Sequence, residues 1–324
     1  MIKHCIVVNK FDADAAIKNM RIQGLLDQNF QVDQVGDAVY IPLKSGSNST
    51  KVHDFLERKS DIDRIIGRIS AKGIDTRNMS YVRLGNSLIF KNKITVKIAK
   101  MFSDLPGIKN IYYETGKIKG VKRKPNLKRL YGGGETRVIE YGIVYVLDLE
   151  KVMFSPGNIN TRSKMLYLDF TDSVVIDMFC GIGYFSLPVI KNSMPARMIC
   201  CDINQDSIDY LIKNIHENRI NYPVEILTGD SRSVLPFISA DYIIMGNFNS
   251  PAFLSTALIR SKMGTKISMH FLATRDSIES REMDIIYMAR KIGYIIKCTS
   301  RSIVKSVGPN YIHINSIFMV LRII

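Results

Sequence analysis

Cysteine and histidine are few, and their spacing is wrong for metal or redox chemistry. The five cysteines, Cys5, Cys180, Cys200, Cys201 and Cys298, contain no C-x-x-C pair. The sequence therefore offers neither a zinc site nor a disulfide framework, and most of the cysteines read as small core residues. His4, His53, His216, His270 and His313 form no H-x-x-x-H and no H-E-x-x-H, which leaves a metal site without support. Long apolar runs are missing too. Nothing approaches the roughly eighteen residues of a membrane span, and Ile6-Val7-Val8 is too short for a signal-peptide core. No membrane contact is expected, and the chain is expected in the cytoplasm. Internal repeats and low-complexity segments are also absent from the sequence.

Acid is in deficit: 30 Asp and Glu stand against 45 Lys and Arg, a net charge of +15 with a pI near 9.5. Such a surplus favours a polyanionic partner, nucleic acid ahead of an anionic membrane, although a solvated basic face has the same composition. The densest basic run, residues 117–129 (KIKGVKRKPNLKR), holds seven basic residues and no acid, and is the best candidate for phosphate contact. At 324 residues, 46% of them apolar, the chain is globular and long enough for about two domains.

The organising stretch is residues 174–185, VVIDMFCGIGYF. Val174, Val175, Ile176 and Met178, interrupted only by Asp177, predict a strand buried on both faces. Cys180-Gly181-Ile182-Gly183 then breaks the pattern, and a helix can follow. Two glycines allow close approach of backbone and ligand at a strand-to-helix crossover, although Ser186 stands where a full dinucleotide fingerprint has its third glycine. A second strand, residues 198–201, ends in Asp202, and a third, residues 224–227, is closed by Gly229-Asp230-Ser231. Acids at strand ends often only cap helices. Three at successive strand ends, beside C-G-I-G-Y-F, resemble the cofactor edge of class I S-adenosylmethionine enzymes.

Around this core the chain reads in three parts: an α+β region over 1–115, a β-rich connector with the basic loop over 116–165, and an α/β domain over 166–324. In the first part, Ile6-Val7-Val8 predicts a strand, followed by a helix through Ala15, Ile17, Met20 and Leu25 and an edge strand over 38–42 ended by Pro42. Residues 45–50 read as a loop, 52–69 as an amphipathic helix, 81–90 as two strands about a Gly-Asn turn, 96–102 as a helix and 110–113 as a strand. Residues 137–147 predict a hairpin around Gly142. A fourth core strand, 240–245, precedes a helix over 252–261. A fifth strand over 266–271, a helix over 282–291 and a closing strand pair over 294–304 and 312–322 complete a parallel sheet with an antiparallel end.

Four segments carry a closer likeness: KVMFSPGN (151–158), VVIDMFCGIGYFSLP (174–188), CDINQDSIDYLIKNIHEN (201–218) and VKSVGPNYIH (304–313). Together they resemble the archaeal and eukaryotic tRNA methyltransferase-like family that acts on the purine beside the anticodon. The resemblance implies a class I, Rossmann-like S-adenosylmethionine domain behind a smaller α+β region that positions tRNA, with S-adenosylmethionine as co-substrate, a tRNA anticodon stem-loop as partner and a monomer as the working state. One branch of the family methylates N1 of guanosine; the other transfers an aminocarboxypropyl group in wybutosine synthesis. Gly246 in MGNFNS stands where the methylating branch has an asparagine. Met153-Phe154-Ser155 with Gly157-Asn158, and the His270-Phe271 pair, also look like the wybutosine branch. The reading therefore favours aminocarboxypropyl transfer to the tricyclic precursor 4-demethylwyosine at position 37 of tRNA(Phe), with guanine-N1 methylation or a silent tRNA-binding protein as alternatives. Thr161, before Arg162, departs from a glutamate expected in both branches.

The resemblance also implies site residues. Ser155 and Arg162 would approach the methionine end of the cofactor, Asp202 its ribose, and Asp230 with Ser231 its adenine; Asp177, Phe179, Gly181, Gly183 and Ile203 complete the cofactor set. Arg123, Gly246 and Asn247 are positioning candidates, Arg123 towards RNA. Side-chain chemistry agrees, since guanidinium pairs with carboxylate and carboxylate accepts from ribose hydroxyls. Ser155 reads equally as a turn residue before Pro156 and Arg162 as a surface cation, and Phe185 reads as core before adenine neighbour.

Overall fold

Short apolar runs bounded by glycine, proline and charged residues set the architecture of the computed structural model, which describes residues 2–27, 29–44, 52–54, 65–67, 69–70, 76, 79–116, 118 and 120–324. The chain divides into two compact units, one of residues 1–118 with 126–150 and one of residues 119–125 with 151–324. Residues 116–165 are thus shared between the units instead of forming a body of their own.

The first unit opens with β1 (Ile2–Asn9), α1 (Ala13–Ile22), β2 (Asp33–Val35), β3 (Ala38–Pro42) and β4 (Val52–Asp54), in an antiparallel sheet ordered β2-β3-β1-β4. Two expectations are corrected here. Residues 38–42 are not an edge strand: β3 lies between β2 and β1, with Pro42 opposite Cys5 at its very end, where its missing N–H costs little. Residues 52–54 are strand and not the start of a helix, because β4 pairs with the edge of β1 that β3 leaves free. Residues 65–67 and 69–70 are helical; the rest of the expected 52–69 helix and the loop over 45–50 lie outside the described residues. Leu25 lies beyond the end of α1, whose inner residues Ile17 and Met20 pack with Leu26, Val39 and Ile41.

A second sheet, β5 (Tyr81–Leu84), β6 (Ser87–Phe90), β7 (Asn110–Glu114) and β8 (Leu127–Tyr131), is covered by α2 (Val96–Ser103), which Thr95 caps by accepting from the Ile98 N–H. Leu88, Phe90, Ile98, Phe102 and Ile111 fill the layer between them. The expected hairpin is β9 (Thr136–Glu140) with β10 (Ile143–Leu147). The basic run is divided by this arrangement. Lys128 and Arg129 lie on β8, whereas Lys122, Arg123 and Lys124 belong to the second unit; Lys117 and Lys119 lie outside the described residues.

In the second unit α3 (Ile159–Lys164) precedes a seven-stranded sheet ordered β13-β12-β11-β14-β15-β17-β16. β11 (Val174–Asp177), β12 (Arg197–Asp202), β13 (Val224–Thr228), β14 (Ala240–Met245) and β15 (Ser261–Ala273) run parallel, and β17 (Tyr311–Ile323) and β16 (Tyr294–Val307) close the sheet antiparallel. This is the Rossmann-like sheet expected of a class I S-adenosylmethionine enzyme. Ile176, Ile199, Ile243, Ile267 and Ile314 are fully buried, as continuous apolar runs in a two-sided sheet require. α4 (Ser186–Ser193), α5 (Gln205–Glu217), α6 (Ser231–Val234), α7 (Leu254–Leu258) and α8 (Ile278–Lys291) form the crossovers. The helix expected over 252–261 is cut to α7, preceded by a 3-10 turn over Ser250–Phe253, because Ser261 already pairs with Ala240 as the first residue of β15. In the closing pair, Ile303 faces Ile314 and Lys305 faces His313, so Val304 is one extra residue, a β-bulge.

Candidate active site

The parallel strands deliver their carboxylates side by side. Asp177 ends β11, Asp202 ends the adjacent β12, and Asp230 follows β13 by two residues. Their surroundings differ sharply. Asp177 is fully buried, accepts from Ser186 Oγ at 2.7 Å and from the Phe179 N–H at 3.3 Å, and its carboxyl is pushed up to about 7 chiefly by burial. Asp202 accepts from the Gly181 N–H at 2.9 Å and the Asn204 N–H at 2.8 Å; burial raises its carboxyl while these backbone donors pull the other way. Asp230 is gripped by Arg232, whose Nη2 lies 2.6 Å away, and the hydrogen bond to that guanidinium is the main cause of its lowered pKa.

Asp177 and Asp202 thereby fix the loop between β11 and α4. Gly183 has φ +97, and a Cβ there would come within 2.6 Å of Leu187 Cγ, so only glycine lets α4 pack this closely. Gly181 lies under the Tyr184 ring. Phe179 meets Phe253 edge-on at 4.9 Å, and Ile203, beside Asp202, is 37% exposed. Ser231 Oγ is buried without a hydrogen-bond partner among the described residues. An unsatisfied hydroxyl, a backbone-bonded carboxylate and an exposed aliphatic side chain thus lie along one sheet edge.

A second cluster is assembled from distant segments and is cationic. Arg162, on α3, is only 2% exposed and not the surface cation its isolation in sequence allowed. Its Nη1 donates to the Ser155 carbonyl at 3.0 Å, and its guanidinium lies over the Phe154 ring at 4.9 Å and the Tyr184 ring at 5.9 Å. Tyr184 in turn donates its hydroxyl to the Met153 carbonyl. Ser155 Oγ receives Lys305 Nζ and lies 3.4 Å from Asn158 Oδ1. Burial first, then the charges of Arg162 and Arg123, lower the pKa of Lys305. Arg123 has φ +49, its Nε approaches Met153 Sδ at 3.2 Å, and its guanidinium covers the Phe248 ring at 5.0 Å.

Between the two clusters lie Phe185, Gly246 and a buried histidine pair. A Cβ on Gly246 would come within 2.7 Å of Phe185 Cε2, so the ring occupies the space a side chain would need. Asn247 accepts from the Asn249 N–H at 3.0 Å and shapes the turn that carries Phe248. Phe185 lies 5.3 Å from His270, whose Nδ1 is 2.7 Å from His313 Nε2. Burial holds His270 well below the usual range, and burial with the charges of Lys305 and Arg123 brings His313 down to about 3; both rings are neutral. Thr161 is buried on α3, so the expected glutamate's place is filled by a side chain with no acid–base capacity. Sequence reasoning assigned no role to Lys305, His313, Tyr184 or Phe248. The first two lie within 304–313, a segment singled out for its likeness, and that was the only signal they gave.

Residues 136–296 match the model of the TRM5/TYW2 methyltransferase domain, and residues 5–51 that of the tRNA methyltransferase 5 N-terminal domain. A tRNA(Phe) (4-demethylwyosine(37)-C(7)) aminocarboxypropyltransferase of Methanocaldococcus jannaschii is 36% identical over 170 residues, covering 52% of this chain and 68% of that protein. The chain belongs to the TRM5/TYW2 family. A protein of the same description from Pyrococcus horikoshii is 29% identical over 246 residues, covering 72% of this chain and 86% of its own length. Within the family, the crystal structure of P. horikoshii TYW2 in complex with MeSAdo is similar in fold, with a TM-score of 0.69 at 25% identity, covering 80% of this chain and 98% of that one.

Proposed function

We propose that this chain transfers the 3-amino-3-carboxypropyl group of S-adenosylmethionine to the 4-demethylwyosine base at position 37 of tRNA(Phe), releasing methylthioadenosine, and that it acts as a monomer. S-adenosylmethionine supplies a sulfonium whose methionine γ-carbon is electrophilic. What the protein supplies is placement: Asp202, Ser231 and the Gly181–Gly183 loop fix the adenosine end, and Arg162 with Lys305 presents cations to the methionine carboxylate. Holding the γ-carbon about 3–3.5 Å from the nucleophilic base carbon, in line with the sulfur, supplies much of the rate without a general base during attack; the C–S bond breaks as the C–C bond forms, and the hydrogen of the base carbon then leaves as a proton to solvent. A site whose histidines are neutral and whose acids are already bonded suits that chemistry.

Position 246 carries the choice between branches. An asparagine there, as the methylating branch has, would displace Phe185, and Thr161 offers no carboxylate for a guanine N1 proton. The relatives named for aminocarboxypropyl transfer support the same side. The test is the nucleoside by-product, identified by mass spectrometry after incubation with S-adenosylmethionine and tRNA(Phe) bearing either guanosine or the tricyclic precursor. Methylthioadenosine, formed only with the precursor, is expected. S-adenosylhomocysteine formed with guanosine-bearing tRNA would make the chain a methyltransferase.

A further inference from the structure

The buried histidine pair has a direction. Asn315 Nδ2 donates to Ser268 Oγ at 2.9 Å and also meets His270 Nε2. With the amide set so that its nitrogen meets both Ser268 Oγ and His270 Nε2, the ring nitrogen accepts, and the single proton of a neutral ring then sits on His270 Nδ1. That nitrogen faces His313 Nε2 at 2.7 Å, which must accept in turn. The proton of His313 is therefore on Nδ1, and this atom is buried with no hydrogen-bond partner among the described residues. Three hydrogen bonds join Ser268, Asn315, His270 and His313 in a line that ends on this unpartnered donor. Buried donors in folded proteins are seldom left unpaired, and those that are call for a reason.

The surroundings supply one. The His313 ring lies edge-on to Phe248 at 4.6 Å, Arg123 covers the other ring contact of Phe248, and Lys305 is the cross-strand neighbour of His313. Phe185, on the loop that receives the cofactor, touches the other member of the pair. The donor thus lies between the loop that fits adenosine and the cationic cluster, behind an aromatic ring carried on a short turn.

We propose that His313 reads the base to be modified. Its Nδ1–H, held in that tautomer by Ser268, Asn315 and His270, donates to a lone pair of the purine-derived base, an exocyclic carbonyl oxygen or an unprotonated ring nitrogen, while the base stacks on Phe248. A base that presents an N–H at this point sets donor against donor and is rejected. The inference rests on the aminocarboxypropyl reading.

Two measurements test it. Histidine-selective 15N NMR of the free protein is expected to show the Nδ1–H tautomer for both His270 and His313; an Nε2–H signature for His313 overturns the proposal. Transfer to precursor-bearing tRNA is then compared for the parent, His313→Asn and His313→Gln. Asparagine holds an amide nitrogen two bonds from Cβ, where histidine holds Nδ1, whereas glutamine reaches out to the Nε2 position. His313→Gln is expected to lose about 100-fold in kcat/KM for tRNA and His313→Asn to recover to within about 10-fold of the parent, with S-adenosylmethionine affinity by calorimetry equal in all three. Equal losses in both variants, or losses that fall on cofactor affinity, overturn it. A parent that releases no methylthioadenosine from precursor-bearing tRNA defeats the functional reading instead, and the NMR signature still decides the tautomer.

Discussion

The row of acids at the parallel strand ends and the cationic cluster beside it are built on opposite plans. Asp177, Asp202 and Asp230 come from three adjacent strands, and each is already bonded to the protein: to Ser186, to backbone N–H groups, to Arg232. Arg123, Arg162 and Lys305 come from a loop, a short helix and the closing hairpin, and are held by rings and single oxygen atoms. The acids hold the frame, and on the proposed function the cations are what binds the methionine end of the co-substrate. On that proposal Arg162→Leu strikes hardest, because it removes the buried charge assigned to the methionine end: a loss of about 2–5 kcal/mol, or roughly 30-fold or more in kcat/KM for S-adenosylmethionine, is expected from initial rates. A variant within a few-fold of the parent would put the methionine carboxylate elsewhere.

Gly246→Asn probes the boundary between the two sides. Overpacking against Phe185 is expected to cost about 1–3 kcal/mol in denaturant unfolding and to lower transfer without producing S-adenosylhomocysteine. Appearance of that by-product would make residue 246 sufficient to choose the branch.

Asp177 and His313 contribute to stability with opposite pH dependence. Burial raises the Asp177 carboxyl to about 7, so the folded state holds its proton more tightly than the unfolded chain; its contribution to stability is full below about pH 4 and is lost as pH rises through 7. His313, held down to about 3, contributes stability that is present above about pH 6.5 and lost as pH falls towards 3. Asp177→Asn, which keeps an acceptor for Ser186, is expected to gain in melting temperature over the parent between about pH 5 and pH 8. A constant difference would mean that the buried carboxyl ionises without penalty. The smallest effect belongs to Lys122 and Lys124, both exposed: replacing them with alanine is expected to flatten the logarithmic salt dependence of tRNA affinity by about 1–2 units, and an unchanged slope would move phosphate contact to other residues. Arg123 does not belong in that test, since it is partly buried against Phe248.

The frame was legible in the residue pattern, whereas on the cationic side Arg123 and Arg162 came only from the family resemblance and Lys305 was missed, for physical reasons. Strands such as 174–177 and 240–245 are buried on both faces and therefore read as unbroken apolar runs, and acids at their ends follow at regular intervals. β15 was seen only at its apolar centre, because Lys262, Gly264 and Thr265 hide its first turns of pleat. Val52–Asp54 was absorbed into a helical pattern set by the residues after it. Arg162 carried no mark of its burial, since Phe154 and Tyr184, the rings that wall it in, lie 8 and 22 residues from it in sequence. His270 and His313 are 43 residues apart and meet only because β15 and β17 are neighbours.

The bulge at Val304 makes the site a matter of phase. Side chains on a strand alternate between faces, and the one extra residue is what brings Lys305 level with His313. Closing the bulge with no residue lost, so that Val304 and not Lys305 stood opposite His313, would leave every side chain nearby intact in kind and turn Lys305 to the other face. Substitutions in this hairpin change one side chain at a time; a one-residue slip of register in it would take Lys305 off the face it shares with His313.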